Sequence, residues 1–156
     1  MTSKVEARLK DLGVVVPEGP TPIANYVPFT VSGTTAYISG QGTFKDGKLQ
    51  FIGKLGREFT IEEGQQAARL CAVNVLAQLR KACGGDLDRV VRVLRVGGFV
   101  NSMPDFTQQP KVINGASDLF VEAFGEAGRH ARTAVGVPVL PDDIAVEVDA
   151  IFEIRA

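Results

Sequence analysis

Apolar residues recur at helical spacing in two long segments of the chain. The first segment opens with Thr60-Ile61-Glu62-Glu63 and ends at Gly84-Gly85. Its apolar stripe consists of Ala67, Leu70, Cys71, Val75 and Leu79. The second segment starts near Pro110, a residue that suits the first turn of a helix, and ends at Gly125. Its stripe consists of Val112, Ala116, Leu119, Phe120 and Ala123. We therefore predict two main helices, each with one buried face.

The N-terminal residues predict a shorter amphipathic helix followed by a connector. Ser3-Lys4-Val5-Glu6 has the spacing of a capping box, and Gly13 is a stop signal. Residues 14–25 contain Pro17, Pro20 and Pro22, which favour an extended path. We expect residues 1–20 to be an extension to a core over residues 21–156.

The remaining segments read as strands and turns. They are residues 27–32 and 35–40 around Gly33, a minor hairpin around Lys45-Asp46-Gly47-Lys48, and residues 90–101, 131–137 and 146–154. Helices that alternate with hairpins indicate a single α+β domain over residues 1–156. We predict a mixed sheet with the two main helices on one face.

Alternation along the last two strands sorts their side chains. Val135 and Val137 share one face, and Arg132 lies on the other together with Ala134 and Gly136. Glu147 points away from the apolar face of the final strand. If the two strands pair as a hairpin, Arg132 and Glu147 lie close together outside the core. Ala134, Gly136 and Ile151 would make that outer face half apolar, which predicts burial against another copy of the chain.

Composition narrows the function classes without selecting one. The chain has 156 residues and a formal net charge of −1, without the concentrated basic surface of a nucleic-acid binder. No apolar stretch approaches the ~20 residues of a membrane span, and the charged N-terminus does not resemble a secretory signal. We expect a cytoplasmic protein that binds neither nucleic acid nor membrane.

The chain also lacks the motifs of several catalytic classes. It has no cluster of metal ligands, no GxxxxGK loop and no evident Ser/His/Asp set. Cys71 and Cys83 lie in one helical segment, too far apart for a disulfide within it, and are expected to be reduced core thiols. Arg92 and Arg95 are expected to face solvent or another subunit. We expect no metal and no organic cofactor.

Four stretches together carry a resemblance to a known family. They are Tyr26 through Ser39-Gly40-Gln41, residues 66–84 with Asn74, residues 114–124, and Ala131-Arg132 through Leu140-Pro141 with Val146-Glu147-Val148-Asp149-Ala150. These stretches resemble the RidA/YjgF family of enamine/imine deaminases, once called L-PSP endoribonucleases. The resemblance covers about residues 21–155, and its C-terminal motif is specific.

The resemblance implies a chorismate-mutase-like fold and a homotrimer with clefts between subunits. It implies hydrolysis of 2-aminoacrylate and other 2-imino acids to 2-keto acids and ammonia. In that case Arg132 binds the substrate carboxylate, and Glu147 positions water and transfers protons. Tyr26, Ser39 and Asn114 would line the cleft, and backbone groups after Arg132, including Ala134, would complete the carboxylate contacts.

The segment around Arg132 departs from the family pattern, in which Pro-Ala-Arg-Ser is often followed by Cys. Here the residues are His130-Ala131-Arg132-Thr133-Ala134. Imine hydrolysis needs no thiol, so the chemistry is compatible with Ala134. The altered flanks and the N-terminal extension would reshape the cleft, and the identity of the natural substrate stays open.

Structural interpretations of these residues also stay open. Arg132 could form a salt bridge, even to Glu147, and Asp149 could replace Glu147 as the proton carrier. Tyr26 could pack its ring, while Ser39 and Asn114 could bond to local backbone. His130 is the single histidine and is either a structural residue of a Gly-rich loop or a group that titrates near neutral pH.

Three other functions are compatible with the same pattern. The first is a non-catalytic trimer that binds a small carboxylate. The second is an endoribonuclease, which the near-neutral charge disfavours. The third, chorismate mutase activity, rests on fold analogy alone.

Overall fold

A computed structural model describes residues 3–19 and 24–156 of the chain. Its helices are α1 (Lys4–Asp11), α2 (Ile61–Ala82) and α3 (Gln109–Phe124). Its strands are β1 (Phe29–Ser32), β2 (Thr35–Gln41), β3 (Phe44–Lys45), β4 (Lys48–Leu49), β5 (Val90–Asn101), β6 (Ala131–Val137) and β7 (Val146–Ile154). Single 3-10 turns cover Leu87–Arg89, Gly125–Gly128 and Pro141–Asp143.

One five-stranded sheet, in the order β1-β2-β7-β5-β6, carries the fold. All neighbours in it are antiparallel except β5 and β6, which are parallel. Helices α2 and α3 pack against one face, and the core between them and the sheet includes Val96, Phe120 and Phe152, all fully buried. The predicted α+β class, with two main helices on one face of a mixed sheet, is confirmed. We call the opposite face of the sheet the open face.

The two main helices begin and end where their sequence signals predict. Thr60 caps α2: its hydroxyl accepts from the Glu63 amide at 3.2 Å, and the Glu63 carboxylate accepts from the Thr60 amide at 3.1 Å. These reciprocal bonds satisfy two donors that a helix start would otherwise leave unpaired. Pro110 lies in the first turn of α3, and Gly125 ends that helix with a φ of 66°.

The crossing of α2 and α3 requires a glycine at position 115. A Cβ there would lie 2.1 Å from the carbonyl oxygen of Gln65, well inside contact distance. We expect Gly115→Ala to lower the free energy of unfolding by about 1–3 kcal/mol, because the two backbones must separate. Urea unfolding measures this, with the exposed Asp118→Ala on the same helix as the control. Equal stability of the two variants would contradict the close crossing.

The predicted hairpin of the last two strands is wrong, because β5 lies between β6 and β7. Val96 of β5 pairs with Arg132 on one side and with Ala150 on the other. Arg132 therefore shares the helix-facing side with the core, whereas Glu147 lies on the open face. The two side chains are on opposite faces of the sheet.

The assignment of faces in β6 was reversed for the same reason. Ala134 packs against the core, and a Cβ at Gly136 would meet the Gln109 side chain of α3. Val135 lies on the open face and is 39% exposed. Only Ile151, of the three apolar residues expected outside, lies on the open face. Small residues suit this side of β6 because the edge strand passes close beneath α3.

The N-terminal helix is fixed to the turn before β5. Ser3 caps α1 and donates its hydroxyl to Asp88 at 2.8 Å, and Asp88 also accepts the Lys4 and Val5 amides. The predicted connector over residues 14–25 includes residues 20–23, with Pro20 and Pro22, which lie outside the described residues. Within the described parts of the chain, no helix combines the length and the apolar character needed to cross a bilayer.

Candidate functional site

The guanidinium of Arg132 is held against α3. Its Nη1 donates to Asn114 Oδ1 at 2.8 Å and to Ser117 Oγ at 3.1 Å. Its Nη2 donates to the Pro110 carbonyl at 3.3 Å. Asn114 and Ser117 are three residues apart and so share one face of the helix. Arg132 lies near the start of the edge strand, where its long side chain can reach these partners.

This arrangement leaves part of the guanidinium available. Arginine has five N–H groups, and the described contacts use three of them. The Nε–H and one Nη2–H of Arg132 therefore remain for a ligand. A guanidinium with two adjacent donors matches the two oxygens of a carboxylate. No carboxylate among the described residues forms a salt bridge with Arg132.

A second group of predicted residues lies on the open face, where β2 meets β7. The pairing of β2 with β7 is irregular between Ile38 and Gln41, so Ser39 and Gly40 depart from the ladder. A Cβ at Gly40 would lie 3.0 Å from the carboxyl carbon of Glu147, so the glycine makes room for that side chain.

Ser39 joins this region to the segment before β1. Its hydroxyl donates to the Val27 carbonyl at 2.7 Å, and its amide donates to the Pro28 carbonyl at 2.9 Å. Tyr26 lies next to Val27 and is 56% exposed. Ser39 therefore bonds to backbone across the first hairpin rather than to its own neighbours in sequence, and Tyr26 is exposed next to this contact.

Two carboxyl groups interact on the open face. Burial, and then the nearby charge of Asp149, raise the pKa of Glu147. Burial also raises the pKa of Asp149, against the opposing effects of Arg95 and the Gly97 amide. Arg95 approaches Asp149 at 4.0 Å and donates to the Thr133 hydroxyl at 3.1 Å. Of the two, Asp149 has the cationic neighbour, so Glu147 is the carboxyl group better suited to exchange protons.

The fold brings Arg132 and Asn114 together and places Glu147 elsewhere. Along the sheet, Arg132 is level with Ala150, three residues from Glu147 in β7. Two strand spacings and three residues correspond to roughly 10 Å across and 10 Å along the sheet. The two side chains also point to opposite faces. One copy of the chain therefore does not form a site that contains both.

Sequence reasoning missed the contribution of Ser117. Its spacing of three residues from Asn114 was the available signal, but the partner strand of α3 was not known. His130 also lies in this network: its Nε2 is 2.9 Å from Ser117 Oγ and its Nδ1 is 2.6 Å from the Gly128 carbonyl. Burial, assisted by the charge of Arg132, lowers the pKa of His130 against the opposing Gly128 bond.

The two thiols and a cavity beside α2 lie apart from these groups. Cys71 and Cys83 are buried and unpaired, and burial raises the pKa of Cys83 to about 11. A cavity of about 760 Å³ lies between residues 13–19, α2 and the β3–β4 turn, and none of the predicted site residues lines it. Across residues 3–19 and 24–156, no three His, Cys, Asp or Glu side chains are grouped to hold a metal ion.

Comparison with known proteins identifies the family. The sequence model described as "YjgF/chorismate mutase-like, putative endoribonuclease" matches residues 6–153. Protein TCP17 of Trypanosoma cruzi is 49% identical over 155 residues, which cover 99% of this chain and 96% of that protein. The chain belongs to the YjgF/RidA family.

Two solved structures resemble this chain to different degrees. Protein Atu1372 of Agrobacterium tumefaciens is 50% identical and superposes with a TM-score of 0.92, covering 97% of this chain and 92% of its own. RidA from the Antarctic bacterium Psychrobacter is 28% identical with a TM-score of 0.59, covering 88% and 94%. The chain is thus more similar to Atu1372 than to that RidA in both sequence and structure.

Proposed function

We propose that this protein hydrolyses small 2-imino acids to 2-keto acids and ammonia. The observation that carries the proposal is the geometry of Arg132. Three bonds to α3 fix its guanidinium, and two N–H groups remain for a carboxylate. Such a fixed cation binds an anion without first having to be ordered.

We further propose that Glu147 of a neighbouring subunit completes the site. Arg132 and Glu147 lie on opposite faces of one sheet, so a second copy must supply one of them. The open face carries Tyr37, 46% exposed, and Val135, 39% exposed, beside the partly buried Ile151. A face with apolar side chains of this size favours contact with another copy. A homotrimer, as in the family resemblance, is the assembly we propose.

The proposed reaction balances with water as the only co-reactant. The substrate carboxylate binds Arg132, which places the C2 imine carbon towards the partner's carboxyl group. Glu147 accepts a proton as water attacks C2 and returns it to the imine nitrogen, which gives the carbinolamine. The hydroxyl proton of the carbinolamine then passes through Glu147 to the amino nitrogen as the C=O bond forms and the C–N bond breaks, which releases ammonia and leaves the 2-keto acid. The raised pKa of Glu147 favours proton return in the second step.

The direct test is a timed assay with 2-aminoacrylate, generated in place by a PLP-dependent dehydratase acting on serine. We expect this protein to accelerate pyruvate formation beyond the rate of spontaneous hydrolysis. Buffer and an unrelated protein at equal concentration are the controls. Absence of acceleration would overturn the proposed activity. If pyruvate then raised the melting temperature without turnover, a carboxylate-binding role would replace it.

An endoribonuclease function, which the family description includes, has less support in this chain. The formal net charge is −1, and the middle of the open face carries Glu147 and Asp149. RNA binding requires cations along the phosphate path and aromatic or cationic surfaces for stacking. Salt-sensitive binding of single-stranded RNA by this protein would favour the nuclease instead.

A further inference from the structure

A chain of hydrogen bonds runs from a backbone carbonyl through His130 to the guanidinium of Arg132. The Gly128 carbonyl can only accept, so His130 Nδ1, 2.6 Å away, carries the ring hydrogen. In the neutral ring Nε2 is then an acceptor, and the Ser117 hydroxyl donates to it at 2.9 Å. The Ser117 oxygen in turn accepts from Arg132 Nη1 at 3.1 Å. Each group in the chain thus has a defined direction of donation.

The imidazole is held firmly in this position. Its ring meets Phe120 edge to face, with centroids 6.1 Å apart and planes at 89°. The turn that supplies the Gly128 carbonyl packs directly on α3, since a Cβ at Gly128 would lie 2.3 Å from the Phe120 carbonyl oxygen. A fixed carbonyl on one side and a fixed hydroxyl on the other leave the ring little freedom to turn.

We propose that His130 is a positioning residue for Arg132: its neutral imidazole directs the Ser117 hydroxyl so that the Ser117 oxygen holds the guanidinium in its carboxylate-binding position. The inference rests on the proposed function, because it assigns His130 a part in the affinity of that carboxylate site. It concerns a residue where the chain departs from the family pattern.

Protonation of the ring disrupts this arrangement. The Nε2–H of the imidazolium would point at the Ser117 oxygen, which already accepts from Arg132. Two cations would then share one acceptor, and the Ser117 hydroxyl hydrogen would lose its partner. Like charges at this separation repel, most strongly where water is partly excluded. Arg132 is therefore held less tightly when His130 is charged.

The neighbouring charge that acts on the imidazole is that of Arg132 on β6, and it disfavours the charged ring. The other charged side chains on the elements beside His130 are Arg92 and Arg95 of β5, Glu126 and Arg129 of the adjoining turn, and Asp118 and Glu122 of α3. Glu126 pairs with Arg129 at 3.2 Å, and Glu122 pairs with Arg69 at 3.1 Å. Arg132 acts on the ring through Ser117 as an uncompensated cation. Burial and this charge lower the pKa of His130 below the ordinary 6.5.

The first part of the test is independent of any ligand. Because the chain has one histidine, nitrogen-15 NMR of untagged protein resolves its tautomer and pKa without ambiguity. We expect the Nδ1–H tautomer and a pKa below 6.5. Ser117→Ala should raise that pKa, because the hydroxyl stabilises the neutral ring, and should speed rotation of the Arg132 guanidinium. An Nε2–H tautomer, or Arg132 signals unchanged in Ser117→Ala, would overturn the proposal.

The second part measures pyruvate binding by calorimetry between pH 7.5 and a pH below the His130 pKa that NMR gives. In the wild type we expect affinity to fall about fivefold, the size of one lost hydrogen bond, with its midpoint at the pKa of His130. His130→Phe keeps the ring and should bind weakly at both pH values. His130→Gln, which can accept from Ser117 but cannot titrate, should restore affinity and lose that midpoint. A pH dependence of affinity that came from Glu147 would persist in both variants, which distinguishes it from the effect of His130.

The outcomes distinguish the two proposals. If the wild type does not bind pyruvate at either pH, the carboxylate site itself fails, and the NMR signals of His130 and Arg132 still decide the hydrogen-bond chain. If the wild type binds pyruvate and both His130 variants match it at each pH, the positioning role is refuted while the site stands.

Discussion

Replacing Arg132 with alanine is expected to lower kcat/KM for 2-aminoacrylate by about 100- to 1,000-fold, the scale of a lost charge-assisted contact pair. The variant removes the guanidinium that α3 holds through Asn114, Ser117 and the Pro110 carbonyl. Arg132→Lys retains a positive charge but cannot present two donors in one plane, so we expect it to recover only a small part of the loss. Timed pyruvate formation measures both variants.

Arg129→Ala is the matched control for this loss. Arg129 lies three residues earlier, is exposed, and bonds to Glu126 in the neighbouring turn. Its removal takes away the same charge from nearly the same place and should leave kcat/KM unchanged. Equal losses in the two variants would show that net positive charge, rather than the held guanidinium, attracts the substrate. An Arg132→Ala variant as fast as the wild type would refute the carboxylate role.

Much of the fold was predictable because its signals are local. Helix α2 begins after its capping residue Thr60 and ends before Gly84, which adopts a positive φ. Both effects act within one turn of the chain. The first hairpin around Gly33 forms as predicted for the same reason. Such elements depend on neighbours in sequence, so their patterns survive whatever the rest of the chain does.

The order of strands was not predictable from local signals. A short turn between β6 and β7 favoured a hairpin, but β5 takes the position between them and pairs with both. The alternation of side chains along a strand shows which residues share a face of the sheet, but it does not show which face the helices cover. In β6 the small Ala134 and Gly136 fit beneath α3, while Val135 is left on the open face.

In the candidate site, too, some residues could be predicted from the sequence and others depend on the order of the strands. Resemblance supplied Arg132 and Asn114, and the structure joins them at 2.8 Å. The spacing of Ser117 from Asn114 places both on one face of α3, but the contact of Ser117 with Arg132 depends on which strand passes that face. The separation of Arg132 from Glu147 likewise depends on strand order. With β5 between β6 and β7, Arg132 and Glu147 can act in one cleft only if they come from different subunits.

Mixing two inactive variants is expected to restore activity if the site is shared in this way. Arg132→Ala subunits retain Glu147, and Glu147→Gln subunits retain Arg132. In a cyclic trimer each cleft takes one group from each of two neighbours, so joint refolding at equal amounts should recover about one quarter of wild-type activity. This fraction is the probability that a cleft takes Arg132 from a Glu147→Gln subunit and Glu147 from an Arg132→Ala subunit. Pyruvate formation after co-refolding from urea measures it.

The control mixture contains Arg132→Ala and the double variant Arg132→Ala/Glu147→Gln. Its subunits exchange in the same way as those of the first mixture, but none of them supplies Arg132. We expect it to stay inactive. If the first mixture were also inactive while both variants still assembled, Arg132 and Glu147 would not act across a subunit boundary. Because the two residues point to opposite faces of one sheet, that result would also remove Glu147 from the reaction.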